Sequence, residues 1–98
     1  MRVSVEHKTT KDIARAKIEQ RLHSLLGQFG SKAEELEHEW LGDTLRFRGK
    51  AKGLKVEGTV EVTSDEVIID GKLPLIAMAF ESKIREAVKR EADQMFRA

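Results

Sequence analysis

The amino-acid sequence predicts a single α+β domain. A four-strand antiparallel meander and an N-terminal strand are covered on one face by two helices. Three observations carry that expectation. Between residues 35 and 69, apolar and charged residues alternate in four successive runs, the period-two pattern of half-buried strands. The runs are separated by Gly42-Asp43, Lys52-Gly53 and Ser64-Asp65, each of the right length for a two-residue hairpin loop. On either side of the meander the apolar period lengthens to three or four residues, the stripe of an amphipathic helix. The predicted order over residues 1–98 is β-α-β-β-β-β-α, and the pattern does not say where the first strand enters the sheet.

In chain order, Val3 and Val5 alternate with Arg2, Ser4 and Glu6 and read as a short strand. Thr9 precedes Asp12 at capping-box spacing, with Asp in place of the usual Glu or Gln. Ile13, Ala14, Ile18, Leu22, Leu25, Leu26 and Phe29 then form the apolar stripe of the first helix, and Gly27 and Gly30 are candidate stops. In the meander, a loop at Gly42-Asp43 sets Trp40 opposite Leu45 and His38 opposite Phe47 on one face. On the other it sets Glu39, Glu37 and Glu35 opposite Arg46, Arg48 and Lys50. The second loop places Arg48 opposite Glu57 and Phe47 opposite Gly58. The third places Val62 opposite Val67 and Val60 opposite Ile69. A one-residue slip would turn the whole apolar set into water, so the register is strongly specified.

Asp70-Gly71-Lys72 reads as a turn, and Pro74 stands where helices commonly begin. Ile76, Phe80, Ile84, Val88, Ala92 and Met95 then mark a long final helix, with Glu81–Arg85 and Glu86–Arg90 pairs on its exposed side. Such a helix of about 22 residues is ~33 Å long, against ~23 Å for a seven-residue strand. Its last turn, at Met95 and Phe96, is therefore expected to overhang the sheet.

Composition bounds the function. With no cysteine among 98 residues there is no disulfide framework, thiol nucleophile or thiolate metal site. The N-terminus lacks the apolar core of a signal peptide. The longest apolar run, Leu73 to Phe80, is far below the ~20 residues of a membrane span. A cytoplasmic protein is expected. The net charge of +1 lacks the basic excess of a dedicated nucleic-acid binder. The basic run Arg46, Arg48, Lys50, Lys52 and Lys55 faces glutamates across the strands and holds no outward aromatic for base stacking.

The three histidines do not form a metal motif. His23 falls on the polar side of the first helix, His7 ends the first strand, and His38 is expected to point inward beside Trp40. No serine sits in a nucleophile elbow and no glycine loop would cradle a phosphate. The sequence thus points to a non-enzymatic protein with no catalytic residue, cofactor or metal. An acid–base role for His38 is the remaining enzymatic alternative. Leu73–Phe80 is apolar all round, so one helix face cannot bury it. This marks Leu75, Met78 and Ala79, with Met95 and Phe96, as a candidate binding surface, for a partner or for a second copy through the C-terminal helix. Gly49 and Gly58 on the inner face would admit a close helix or leave a cavity. His38, Trp40, Phe47, Phe80 and Ile84 would line such a space.

Several segments carry a resemblance. Val5-Glu6-His7-Lys8-Thr9-Thr10-Lys11, Trp40 with Gly42-Asp43-Thr44-Leu45, Gly58-Thr59-Val60-Glu61-Val62, and Val67-Ile68-Ile69-Asp70-Gly71-Lys72-Leu73-Pro74-Leu75 follow one another along nearly the whole chain. With them the sequence resembles the polyhydroxyalkanoic acid system family, small bacterial proteins associated with storage-polyester genes. The resemblance implies an accessory protein that binds a polyester granule surface or a granule protein. It supplies no active-site residue. The element order also looks like a shortened helix-grip arrangement, which implies the alternative of an acyl or other apolar ligand held between the last helix and the sheet.

Overall fold

The computed structural model describes residues 1–29, 33–51, 54–72 and 75–97. Strand β1 (Arg2–Glu6) is followed by helix α1 (Lys11–Phe29). The meander comprises β2 (Ala33–Leu41), β3 (Thr44–Ala51), β4 (Leu54–Val62) and β5 (Glu66–Lys72). A 3₁₀ segment (Leu75–Phe80) then leads into helix α2 (Glu81–Met95). The sheet is antiparallel with order β1-β5-β4-β3-β2. The first strand therefore pairs with the last, Val3 opposite Ile69 and Val5 opposite Val67.

Most of the register predicted from alternation holds. Trp40 stands opposite Leu45, His38 opposite Phe47, Glu39 opposite Arg46 and Glu37 opposite Arg48. Arg48 faces Glu57 and Phe47 faces Gly58, while Val62 faces Val67 and Val60 faces Ile69. Gly42 carries the left-handed backbone, φ 62°, that its hairpin loop requires. The expected Glu35–Lys50 pair is replaced by Glu34–Lys50, because a bulge between Glu34 and Glu37 inserts an extra residue into β2. Asp70-Gly71-Lys72 is strand rather than turn, with Asp70, Gly71 and Lys72 opposite Thr59, Gly58 and Glu57. The ladder has a partner for each of them in β4. The Lys52-Gly53 loop, the stop at Gly30 and the start at Pro74 lie outside the described residues.

Helix α1 is capped by Thr10 rather than Thr9. The Thr10 Oγ1 accepts from the Ile13 amide at 3.2 Å, satisfying one of the first-turn amides that have no helical partner. The Thr9 amide is already committed to the His7 ring. The buried stripe of α1 is centred on Ala14 and Ile18, with Leu22 packed against the core, whereas Ile13 is exposed. Gly27 does not stop the helix, which continues to Phe29.

The two helices lie side by side, antiparallel, on the apolar face of the sheet. Lys17 Nζ reaches the Met95 carbonyl at 3.4 Å and Arg21 pairs with Glu91. Ala14 and Ile18 share a buried cluster with Ala92, Phe96, Val3, Val5, Leu45, Val62 and Val67. Helix α2 packs on β1 and α1 on β4.

The final apolar segment departs from the single long helix expected. Its first six residues are 3₁₀, whose turn of three residues puts side chains at a different phase from an α-helix. Phe80 is thereby excluded from the stripe of α2 and is exposed. At the other end, Phe96 does not overhang. It is 5 % exposed inside the core, and Met95 packs against that core. The α-helical part is 15 residues, and at ~1.5 Å per residue it ends over the sheet. Glu81 lies 3.8 Å from the N-terminal ammonium of Met1, the partner observed in place of Arg85.

Candidate functional site

Four places bring chemistry-bearing residues together. The first is the corner where β1 ends. Val3, Val5 and His7 occupy alternate positions and all three are buried, so His7 continues the inward face of the strand. It is 2 % exposed. The Thr9 amide donates to His7 Nδ1 at 3.1 Å. Since Nδ1 must then be unprotonated, Nε2 carries the hydrogen and donates to the Thr63 carbonyl at 2.8 Å. The His7 ring lies 6.2 Å from that of Phe96, tilted by 56°. The arrangement satisfies two backbone groups and pins β1, the β4–β5 hairpin and the end of α2 to one another. Lys8 follows with φ 56°, the left-handed residue that turns the chain from strand to helix. Both ring nitrogens are occupied by backbone, so this histidine holds structure. The burial of His7 was not anticipated from the sequence, although its alternation with Val3 and Val5 is the signal that could have found it.

The second place is the hairpin of β2 and β3 beneath α1. Trp40 donates from Nε1 to Glu19, and the Arg15 guanidinium stands 4.6 Å from the ring centroid, a cation–π contact of about 0.5–1 kcal/mol. Lys11 and Arg15 both reach Asp43 in the loop, at 3.1 and 3.8 Å. Helix α1 thus clamps the hairpin from Trp40 to its tip.

The third place is the outer face of the sheet. An open depression of about 680 Å³ is lined by Glu37, Glu39, Arg46, Arg48, Glu57 and Lys72, among others, His38 and Phe47 included. Arg48 is hydrogen-bonded to Glu37 at 2.9 Å and Lys72 pairs with Glu57 at 3.4 Å. The Glu37 hydrogen bond and charge, then Glu57 and Glu39, raise the Arg48 guanidinium above its ordinary value. These exposed pairs keep an open sheet face soluble.

The five residues expected to line a space between helix and sheet are not gathered there. Trp40 is engaged by α1, Phe80 is exposed and Ile84 is half-buried. His38, expected inward, is exposed near the edge of the sheet. At Gly58 the space of the absent side chain is taken by the neighbouring strands rather than by a helix. A Cβ there would lie 2.5 Å from the Asp70 carbonyl oxygen and 2.9 Å from the Phe47 ring. Among the described residues, no group of three or more His, Cys, Asp or Glu could hold a metal ion.

The fourth place is the 3₁₀ segment. Met78, Ala79 and Phe80 are consecutive and all exposed, Met78 by 52 % and Phe80 by 57 %. Two of the five predicted surface residues, Met78 and Ala79, are therefore on the surface. Phe96 belongs to the core and Met95, half-buried, packs against it, and the Leu75 side chain lies outside the described residues.

Against known proteins, residues 1–96 match the family model described as polyhydroxyalkanoic acid system protein. No curated protein and no solved structure matches the chain. Among the described residues, no helix is long and apolar enough to cross a membrane.

Proposed function

The chain belongs to the polyhydroxyalkanoic acid system protein family, and from that premise we propose that it is a non-enzymatic accessory protein which binds the surface of a storage-polyester granule. The observation that carries the reading is the exposed run Met78-Ala79-Phe80. Two large apolar side chains in water oppose solubility unless something covers them, and such clusters commonly mark contact sites. Their short segment joins β5 to α2. The neighbouring elements are held by the Met1–Gly71 backbone pair and by the Val88–Ala92–Phe96 side of α2. A polyester surface is apolar with ester dipoles, which suits a thioether and an aromatic ring that adapt to an irregular contact.

The test is co-purification with granules from polymer-producing cells, compared with cells that make none. The wild-type chain should be enriched only where polymer is present. A Met78→Ser/Phe80→Ser variant should be folded, within about 0.5 kcal/mol of wild type because both positions are on the surface, and should move to the soluble fraction. Equal enrichment of a folded variant would refute the surface. Enrichment that depends on a second granule protein would redirect the reading to that protein.

A further inference from the structure

We propose that the free edge of β2 receives an extended basic segment of a partner protein as a sixth strand. This rests on the sheet edge and is independent of the granule reading. Strand β2 is terminal in the sheet, and among the described residues no strand lies on the outer side of its regular stretch, Glu37–Leu41. Such an open edge presents backbone donors and acceptors to any strand that fits. The opposite edge, β1, is of similar length, but its inner face is buried under α2 at Val3 and Val5.

The side chains on β2 say which strand would fit. Glu37 and Glu39 are exposed on one face, His38 is exposed and Trp40 half-buried on the other, and Leu41 is 51 % exposed. Strand β3, already paired with β2 on its inner side, shows the complement that this pattern accepts. It sets Arg48 and Arg46 opposite Glu37 and Glu39, and Phe47 and Leu45 opposite His38 and Trp40. An incoming strand in antiparallel register meets the same alternation from the outer side. It therefore needs Lys or Arg at every second position with apolar residues between them. Glu37 is shared with Arg48, whereas Glu39 faces Arg46 across the ladder and makes no side-chain hydrogen bond or ion pair among the described residues, so of these two carboxylates Glu39 is the more open to a new cation. A second copy is the wrong occupant. Antiparallel self-pairing centred on His38 would place Glu37 of each chain opposite Glu39 of the other, and like charges directly opposite are destabilising. The bulge between Glu34 and Glu37 confines the regular edge to Glu37–Leu41.

The probe is a synthetic peptide with the sequence of Thr44–Ala51, titrated into the full chain at low salt and followed by two-dimensional amide NMR. The control is the same peptide with glutamate in place of Arg46, Arg48 and Lys50. The expected result is saturable perturbation of the Glu37–Leu41 amides by the basic peptide and none by its control. A Glu39→Lys variant with an unchanged thermal midpoint should bind about tenfold more weakly, since attraction becomes repulsion at one position. Saturable perturbation should also weaken as salt is raised. Perturbation centred elsewhere, equal response to both peptides, or no response would overturn the proposal. So would self-association of the chain that Glu39→Lys abolishes.

Discussion

Gly58 and Gly71 stand directly opposite each other in the β4–β5 ladder, yet alanine should have opposite consequences at the two positions. At Gly58 an added Cβ would lie 2.5 Å from the Asp70 carbonyl oxygen, 2.9 Å from Phe47 Cζ and 3.0 Å from Gly71 Cα. Two of these atoms are backbone and cannot turn aside, so β4 and β5 would have to separate. Overpacking of this kind costs about 1–3 kcal/mol. At Gly71 the nearest atom, the Glu57 carbonyl oxygen, is 3.8 Å away, an ordinary contact. There alanine should gain about 0.4–1 kcal/mol by restricting the unfolded chain. That gain is common to both sites and reduces the net cost at Gly58 to roughly 0–2.5 kcal/mol. For a domain of this size 1 kcal/mol moves the thermal midpoint by about 4–8 °C. Gly58→Ala should therefore lower it by up to roughly 20 °C while Gly71→Ala raises it by a few degrees. Thermal unfolding followed by far-UV circular dichroism reads both. Adding Phe47→Leu to Gly58→Ala should recover part of the loss, as the ring supplies one of the three close contacts. Equal shifts for the two alanines would refute the reasoning, because the close approach at Gly58 would then have no energetic consequence.

Phe96→Ala should cost about 3–5 kcal/mol in urea unfolding, the value for a buried aromatic; a loss below about 0.5 kcal/mol would return Phe96 to the surface. His7→Ala should cost about 2–4 kcal/mol, since it leaves the Thr9 amide and Thr63 carbonyl unpaired beside a new void. The same denaturation series with an unchanged slope checks it. Glu19→Gln should weaken the hydrogen bond from Trp40 and shift the emission of the one tryptophan, without moving the thermal midpoint by more than a few degrees; an unaltered spectrum would place Trp40 away from α1. Breaking the exposed Arg48–Glu37 pair with Glu37→Gln should cause a small loss of stability at low salt that vanishes at high salt. Arg48 is raised by Glu37, so the stability it brings is fully present below its unfolded value and is lost only above its folded one. Both lie beyond the alkaline end of ordinary assays, and Glu37→Gln should leave the stability profile at neutral to moderately alkaline pH unaltered in shape.

Much of this protein was legible because a strand has a period of two. Once Val60, Val62, Val67 and Ile69 had to share one face, a two-residue loop left a single register, and the structure has it. The same logic put Glu37 against Arg48 and Trp40 against Leu45. The burial of His7, two residues beyond Val5, follows the same alternation but was read only as the end of the strand. Tertiary structure decided what periodicity cannot express. The Asp70-Gly71-Lys72 segment has the composition of a turn, yet β4 offered it a ladder, and hydrogen bonding to a neighbour outweighed local preference. Phe80 keeps the helical spacing of its stripe, but the 3₁₀ geometry before Glu81 changed its phase and left it in water beside Met78. Phe96 belongs to the predicted overhang, yet the shorter helix and its contact with His7 drew it into the core. The bulge between Glu34 and Glu37 has no mark in the alternation of β2, because only the pairing with β3 shows that one residue of β2 is left over. Side-chain period is a local property that the chain carries alone; which face is covered, and by what, depends on elements far apart in sequence.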